Sequence, residues 1–121
     1  MKMRVSLARA LALRPDLFLF DEPFGALDEL TRERLNDELV RLYMTRGFTA
    51  LFVTHSVAEA VFLSTRVVVM SNRPGRIVAD VPVPFAFPRP ASLRFESEFG
   101  RIAGEVSRIL RHEMRSDGDA P

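Results

Sequence analysis

The chain has 121 residues, of which 47% are hydrophobic and 27% charged, a composition that fits one globular domain with a modest core and excludes disorder. Its net charge of +1 provides no bulk attraction to nucleic acid or to an anionic surface, and the lack of cysteine excludes a disulfide scaffold and a thiolate metal site. No stretch reaches the roughly 18 uncharged apolar residues that a transmembrane helix needs, so no direct membrane insertion is expected.

Residues 3–13 lack Gly and Pro and are rich in Ala and Leu, which predicts a mostly buried helix ended by Pro15. Lys2, Arg4, Arg9 and Arg14 precede the first acid, Asp16, a pattern shared with transit peptides. Arg9 interrupts the apolar run that a secretory signal requires. Leu17–Phe20 is apolar at every position and predicts a strand covered on both faces, as in a parallel sheet. Pro23 and Gly25 break it into a loop.

Glu29–Arg46 predicts an amphipathic helix with Leu35, Leu39, Leu42 and Tyr43 on one stripe, capped by Asp28 and ended by Gly47. "TALFVT" (Thr49–Thr54) predicts a second strand. Ser56 and Glu59 read as a capping box opening a short helix to about Leu63. "RVVVM" (Arg66–Met70) predicts a third buried strand, "NRPGR" a turn, and Ile77–Val81 its hairpin partner. Pro82, Pro84, Pro88 and Pro90 predict an extended linker over 82–90. A last helix is predicted over Ser92–Met114, with Phe95, Phe99, Ile102, Ala103, Val106, Ile109 and Leu110 at helical spacing, followed by a frayed tail. Alternating strands and helices, with mostly parallel strands, point to an α/β layer fold.

In open α/β sheets ligands bind outside the carboxyl ends of the strands. Asp21 and Glu22 stand at one such end and His55 at another. If the two strands are neighbours, the three side chains converge. An Asp can hold Mg²⁺ directly or through water, a Glu can orient or deprotonate water, and a His can stabilise developing charge. That set suits nucleotide hydrolysis. Each residue also has a plainer reading: a solvated turn for Asp21-Glu22 before Pro23, an N-cap for Asp28, a structural role for His55, and core packing for Tyr43 and the phenylalanines.

Taken together these segments resemble the ATP-binding subunit of ABC transporters. "LFLFDEP" resembles the Walker B strand with its following glutamate, "GALD" (Gly25–Asp28) the D-loop, "VTHS" the switch-histidine region, and "RVSLARAL" (Arg4–Leu11) the helix after the LSGGQ signature. "DEPFGALDELTRERL" and "VVVMSNRPGRI" further resemble the nitrate, sulfonate and taurine importer group. Ser56 departs from the acidic residue often found after the switch histidine.

The resemblance implies a partial P-loop NTPase fold. Residues 1–81 would be the carboxyl-terminal half of the ATPase domain, 82–90 a proline-rich linker, 91–114 a C-terminal helix and 115–121 a flexible tail. Asp21 would help bind Mg²⁺, Glu22 would polarise the attacking water, His55 would contact the terminal phosphate of ATP, and Asp28 would couple the two sites of a head-to-tail dimer. The implied partners are a second ATP-binding subunit and a membrane permease, without nucleic acid. The implied location is cytoplasmic, peripheral on the inner face of the cell membrane.

The sequence holds one lysine, Lys2, and no G-x-x-x-x-G-K-[ST], so the backbone cradle and lysine of a P-loop are missing. The Q-loop, the LSGG and the adenine-stacking aromatic are missing too, and Met1 stands where the signature's fifth residue would be. The expectation is a truncated chain, inactive alone. The alternative is a non-enzymatic remnant that pairs with an intact subunit; a chromosome-maintenance or DNA-repair relative is disfavoured by the absence of long heptad segments. In the family the P-loop strand lies between the histidine strand and the strand matching "RVVVM". Without it, either those two strands pair directly or a gap remains, and low stability is expected.

Overall fold

A computed structural model describes residues 17–71 and 75–119, with side chains to residue 115. The expected helix over 3–13, the tip of the "NRPGR" turn and the end of the tail lie outside the described residues.

Strand β1 (Leu17–Asp21) pairs in parallel with β2 (Thr49–Val53), in the register Leu19↔Leu51 and Asp21↔Val53. Helix α1 (Glu29–Arg46) crosses between them, as a parallel connection requires. Helix α2 (Val57–Leu63) leads into β3 (Arg66–Met70), which pairs antiparallel with β4 (Ile77–Pro82) through a bulge at Val69/Met70. A 3₁₀ turn (Ala91–Phe95) precedes α3 (Ser97–Asp119). The architecture is α/β, as expected, with one parallel and one antiparallel pair.

The two pairs form separate sheets. Of the two expected arrangements, direct pairing of β2 with β3 or a break between them, the described residues have the break. Among the described residues the strands at that break have no partner on their outer edges, and edges of this kind template association.

The Leu17–Phe20 run is not covered on both faces, contrary to expectation. Phe18 and Phe20 point inward at 7% and 8% exposure, whereas Leu17 and Leu19 stand out at 64% and 69%. Leu51 and Val53 of β2 continue the bare face. The strand alternates strictly, and among the described residues helices pack on one side only. β3 behaves likewise: Val67 and Val69 are buried, Val68 and Met70 exposed.

Two apolar clusters meet along α1. Phe18, Phe20, Phe24, Leu35 and Leu39 form one, with Phe48 and Phe52 packed against it. Phe18 stacks on Phe20 and meets Phe48 edge-on. The other cluster joins Val40 to α2, the β3–β4 hairpin and α3 through Phe62, Val67, Val81, Phe99, Ile102 and Val106. Complete burial of a side chain such as Phe24 or Phe62 stabilises the fold by roughly 1.5–3 kcal/mol.

Segment 83–90 is extended but closely packed. Val83 and Arg89 are buried and Phe85 and Phe87 half-buried, while the residues between them face out. Arg89 donates to the carbonyls of Val61, Phe62 and Ser64 at the end of α2 and to Phe85. The last helix starts at Ser97 rather than Ser92, because Glu96 is extended and breaks the path. That break resets the helical phase, so Phe95 leaves the apolar stripe and is 87% exposed.

Candidate functional site

The parallel register of β1 and β2 sets two strand ends side by side. The ladder runs one bond past Asp21, where Glu22 N–H donates to the carbonyl of Val53 at 2.8 Å. Glu22 then adopts φ +47°, a left-handed conformation unusual for a non-glycine residue and rarer still before proline. This turn sends the chain across the end of the sheet. Gly25 N–H closes it onto the Glu22 carbonyl, and Phe24 anchors it fully buried against Phe52.

From the neighbouring strand His55 reaches Glu22, with Nε2 2.9 Å from Oε1. The imidazole is 91% exposed and the carboxylate 37%, so the contact lies in a cleft open to solvent. The cleft has a volume of about 350 Å³ and is lined by Glu22, Gly25, Arg32, Thr54, His55 and Ser56.

Of the four residues expected at the site, the structure joins Glu22 and His55. Asp21 is exposed and, by strand alternation, shares the face of Leu17 and Leu19; it does not line the cleft. Asp28 caps α1: Oδ2 accepts from Thr31 N–H at 3.1 Å and Oδ1 accepts from Thr31 Oγ1 at 2.6 Å. These Thr31 hydrogen bonds, side-chain first, hold the Asp28 carboxyl below the usual range.

Arg32 and Thr54, which no sequence motif singles out, also line the cleft. Arg32 sits one helical turn after Asp28 and donates from Nη2 to the Leu27 carbonyl at 3.1 Å, tying the end of the Glu22 loop to α1. Its spacing from the cap was the available signal. Thr54 directly precedes His55, and its hydroxyl takes part in a bonded loop around that residue.

The capping box forms in altered shape. Ser56 Oγ accepts from Glu59 N–H at 3.2 Å, which is the expected half. In the other half, Glu59 would bond Ser56 N–H directly. Instead Ser56 N–H donates to Thr54 Oγ1 at 3.0 Å, and the Thr54 hydroxyl donates to Glu59 Oε1.

These residues do not by themselves form a site for MgATP. A triphosphate needs consecutive backbone N–H groups and a lysine, and the cleft lining contains neither a glycine-rich loop nor a lysine. Among the described residues no three His, Asp or Glu are grouped to hold a metal ion. What the cleft offers is a carboxylate able to take a proton from, or orient, a water, with an imidazole beside it.

The chain is homologous to the ATP-binding proteins of ABC transporters, which match it at 39–49% identity over most of its length. A protein of Brucella melitensis named as ATP-binding is 43% identical over 94% of this chain. The taurine import ATP-binding protein of Pseudomonas aeruginosa is 49% identical over 84% of it, and the nitrate import ATP-binding protein of Synechococcus elongatus 39% over 98%. The chain spans 48%, 40% and 44% of the lengths of these three relatives. No family model matches the chain.

Proposed function

We propose that this chain is the carboxyl-terminal half of the ATP-hydrolysing subunit of an ABC importer of the nitrate, sulfonate and taurine type. In the complete subunit Glu22 would hold and orient the attacking water. His55 would stand at the terminal phosphate, Asp21 would assist Mg²⁺ from the strand end, and Asp28 would lie at the interface with a second subunit. The observation that carries this reading is the 2.9 Å contact between Glu22 and His55, made across two parallel strand ends. It brings together the two residues that the resemblance assigns to hydrolysis.

The importer names of the relatives support a membrane permease and a second ATP-binding subunit as partners. No helix among the described residues is long and apolar enough to cross a membrane, so contact with a bilayer would run through the permease. A cytoplasmic position on the inner face follows from the same reading. Alone, the chain is expected to lack turnover, because the phosphate-binding half is not in this sequence.

Sequencing the DNA upstream of the Met1 codon tests the proposal. An open frame in phase that encodes G-x-x-x-x-G-K-[ST] and LSGG is the expected result. A nearby in-phase stop would favour the remnant that binds an intact subunit, and co-purification with such a subunit would then be the measurement to make. MgATP turnover by the purified chain, abolished in Glu22→Gln, would overturn the expectation of inactivity.

A further inference from the structure

Glu59 is 4% exposed, and burying a carboxylate is unfavourable unless its oxygens are bonded. The N-terminus of α2 does not require it, since Ser56 Oγ already caps the helix. One Glu59 oxygen accepts from the Thr54 hydroxyl, and the other, Oε2, is buried without a protein partner. The carboxylate therefore reaches the cap residue only through Thr54.

The bonded loop around His55 shows what this route does. The Thr54 hydroxyl has a single proton and donates it to Glu59. Its lone pairs are thereby turned to accept Ser56 N–H. Ser56 Oγ in turn accepts Glu59 N–H. The three bonds enclose His55 and fix the backbone on both of its sides. The imidazole itself, 91% exposed, has no packing to hold it. Its direction toward Glu22 is set by the backbone at 54–56.

We propose that Glu59 is a positioning residue for His55, acting through Thr54 and Ser56, so that the switch from a direct capping box to a relayed one aims the imidazole at Glu22. The proposal rests on the reading of His55 as a functional residue. It concerns the aim of that residue and not the nucleotide.

The chain contains two histidines, His55 and His112, so diethylpyrocarbonate labelling of the full chain followed by mass spectrometry carries its own control. Engagement of Nε2 by Glu22 protects His55, and Glu22→Ala, which removes the acceptor, sets the unprotected rate. Glu59→Ala and Thr54→Val are expected to raise the His55 rate several-fold, toward that of Glu22→Ala, with His112 unchanged. Glu59→Gln and Thr54→Ser keep the acceptor and the hydroxyl, and are expected within about twofold of wild type.

A His55 rate unmoved by both Glu59→Ala and Thr54→Val, but raised by Glu22→Ala, would overturn the proposal. A rate that Glu22→Ala also fails to move would remove the contact on which it stands. If Glu59→Ala raises both histidines together, the fold has opened, and Thr54→Val decides. No readout involves nucleotide, so failure here is distinct from failure of the ATPase reading, which turnover and the upstream frame decide.

Discussion

Glu22 and His55 touch across the ends of two parallel strands, although 32 positions separate them in the chain and neither is packed into a core. Exposed ion pairs contribute about 0–1 kcal/mol. Glu22→Gln is therefore expected to change unfolding free energy by less than about 1 kcal/mol in urea titration, while the ring ¹⁵N signals of His55 shift and those of His112 do not. A large loss of stability would show that the pair is structural.

Glu22 carries a left-handed backbone, φ +47°, directly before Pro23. That conformation costs an ordinary side chain roughly 1–2 kcal/mol, and glycine adopts it freely at the expense of a more mobile unfolded chain. Glu22→Gly is expected to raise stability by about 1 kcal/mol, a few degrees in Tm. It also removes the His55 partner. Calorimetry checks it, and a fall in Tm would mean that the turn is not strained.

Asp28 is held below the usual carboxylate range by its bonds to Thr31. A group whose folded pKa is depressed contributes stability above its unfolded pKa and loses it as pH falls through the folded pKa. The ordinary value is 3.8, so the contribution is complete above about pH 5 and disappears on further acidification. Asp28→Ala is expected to lower Tm at pH 7 and to flatten this acid limb. Asp28→Asn, also a good N-cap, should restore most of the Tm but not the acid sensitivity.

Arg89 is 4% exposed and serves four carbonyls, three of them at the end of α2. Each buried carbonyl left unpaired costs about 1–3 kcal/mol. Arg89→Ala is expected to lose about 3 kcal/mol or more in urea unfolding. Arg89→Lys should recover little, because an ammonium cannot reproduce the planar fork. Loss below about 1 kcal/mol would show that water replaces the arginine readily.

The bare face of β1–β2, with Leu17, Leu19 and Leu51 each more than 60% exposed, and the break between the sheets both favour association. The chain is expected to aggregate and to show no cooperative melt of a monomer above about 45 °C. Leu19 and Leu51 are directly opposed in the register. Leu19→Lys with Leu51→Glu places opposite charges across the ladder. That double variant is expected to cut light scattering without lowering Tm by more than a few degrees.

Much of this protein was legible in the sequence because local signals agreed with the fold. Asp28 and Gly47 bound α1 at the predicted residues, since the cap side chain and the glycine act within one turn. The β1–β2 neighbourhood followed from two apolar runs joined by one helix. The pairing of Glu22 with His55 could be anticipated only as a condition on that neighbourhood. Where the reading failed, contacts distant in sequence had decided. Leu17 and Leu19 look as buried as Phe18 and Phe20 until it is known that helices cover one face. Segment 82–90 reads as an extended linker and is extended, but its anchoring by Arg89 is not legible, because its prolines are local and the α2 carbonyls that hold Arg89 are not. Phe95 fits the stripe of the last helix until the break at Glu96 turns it outward. The relay from Glu59 to Thr54 looked like an ordinary capping box, since residue spacing cannot show which oxygen accepts which N–H. The sequence by itself determined which elements form and which residues stand at the strand ends, because propensity, capping and periodicity act within a few residues. Only the tertiary structure decided which faces are covered and which side chains meet, because burial and hydrogen-bond partners are supplied by segments far apart in the chain.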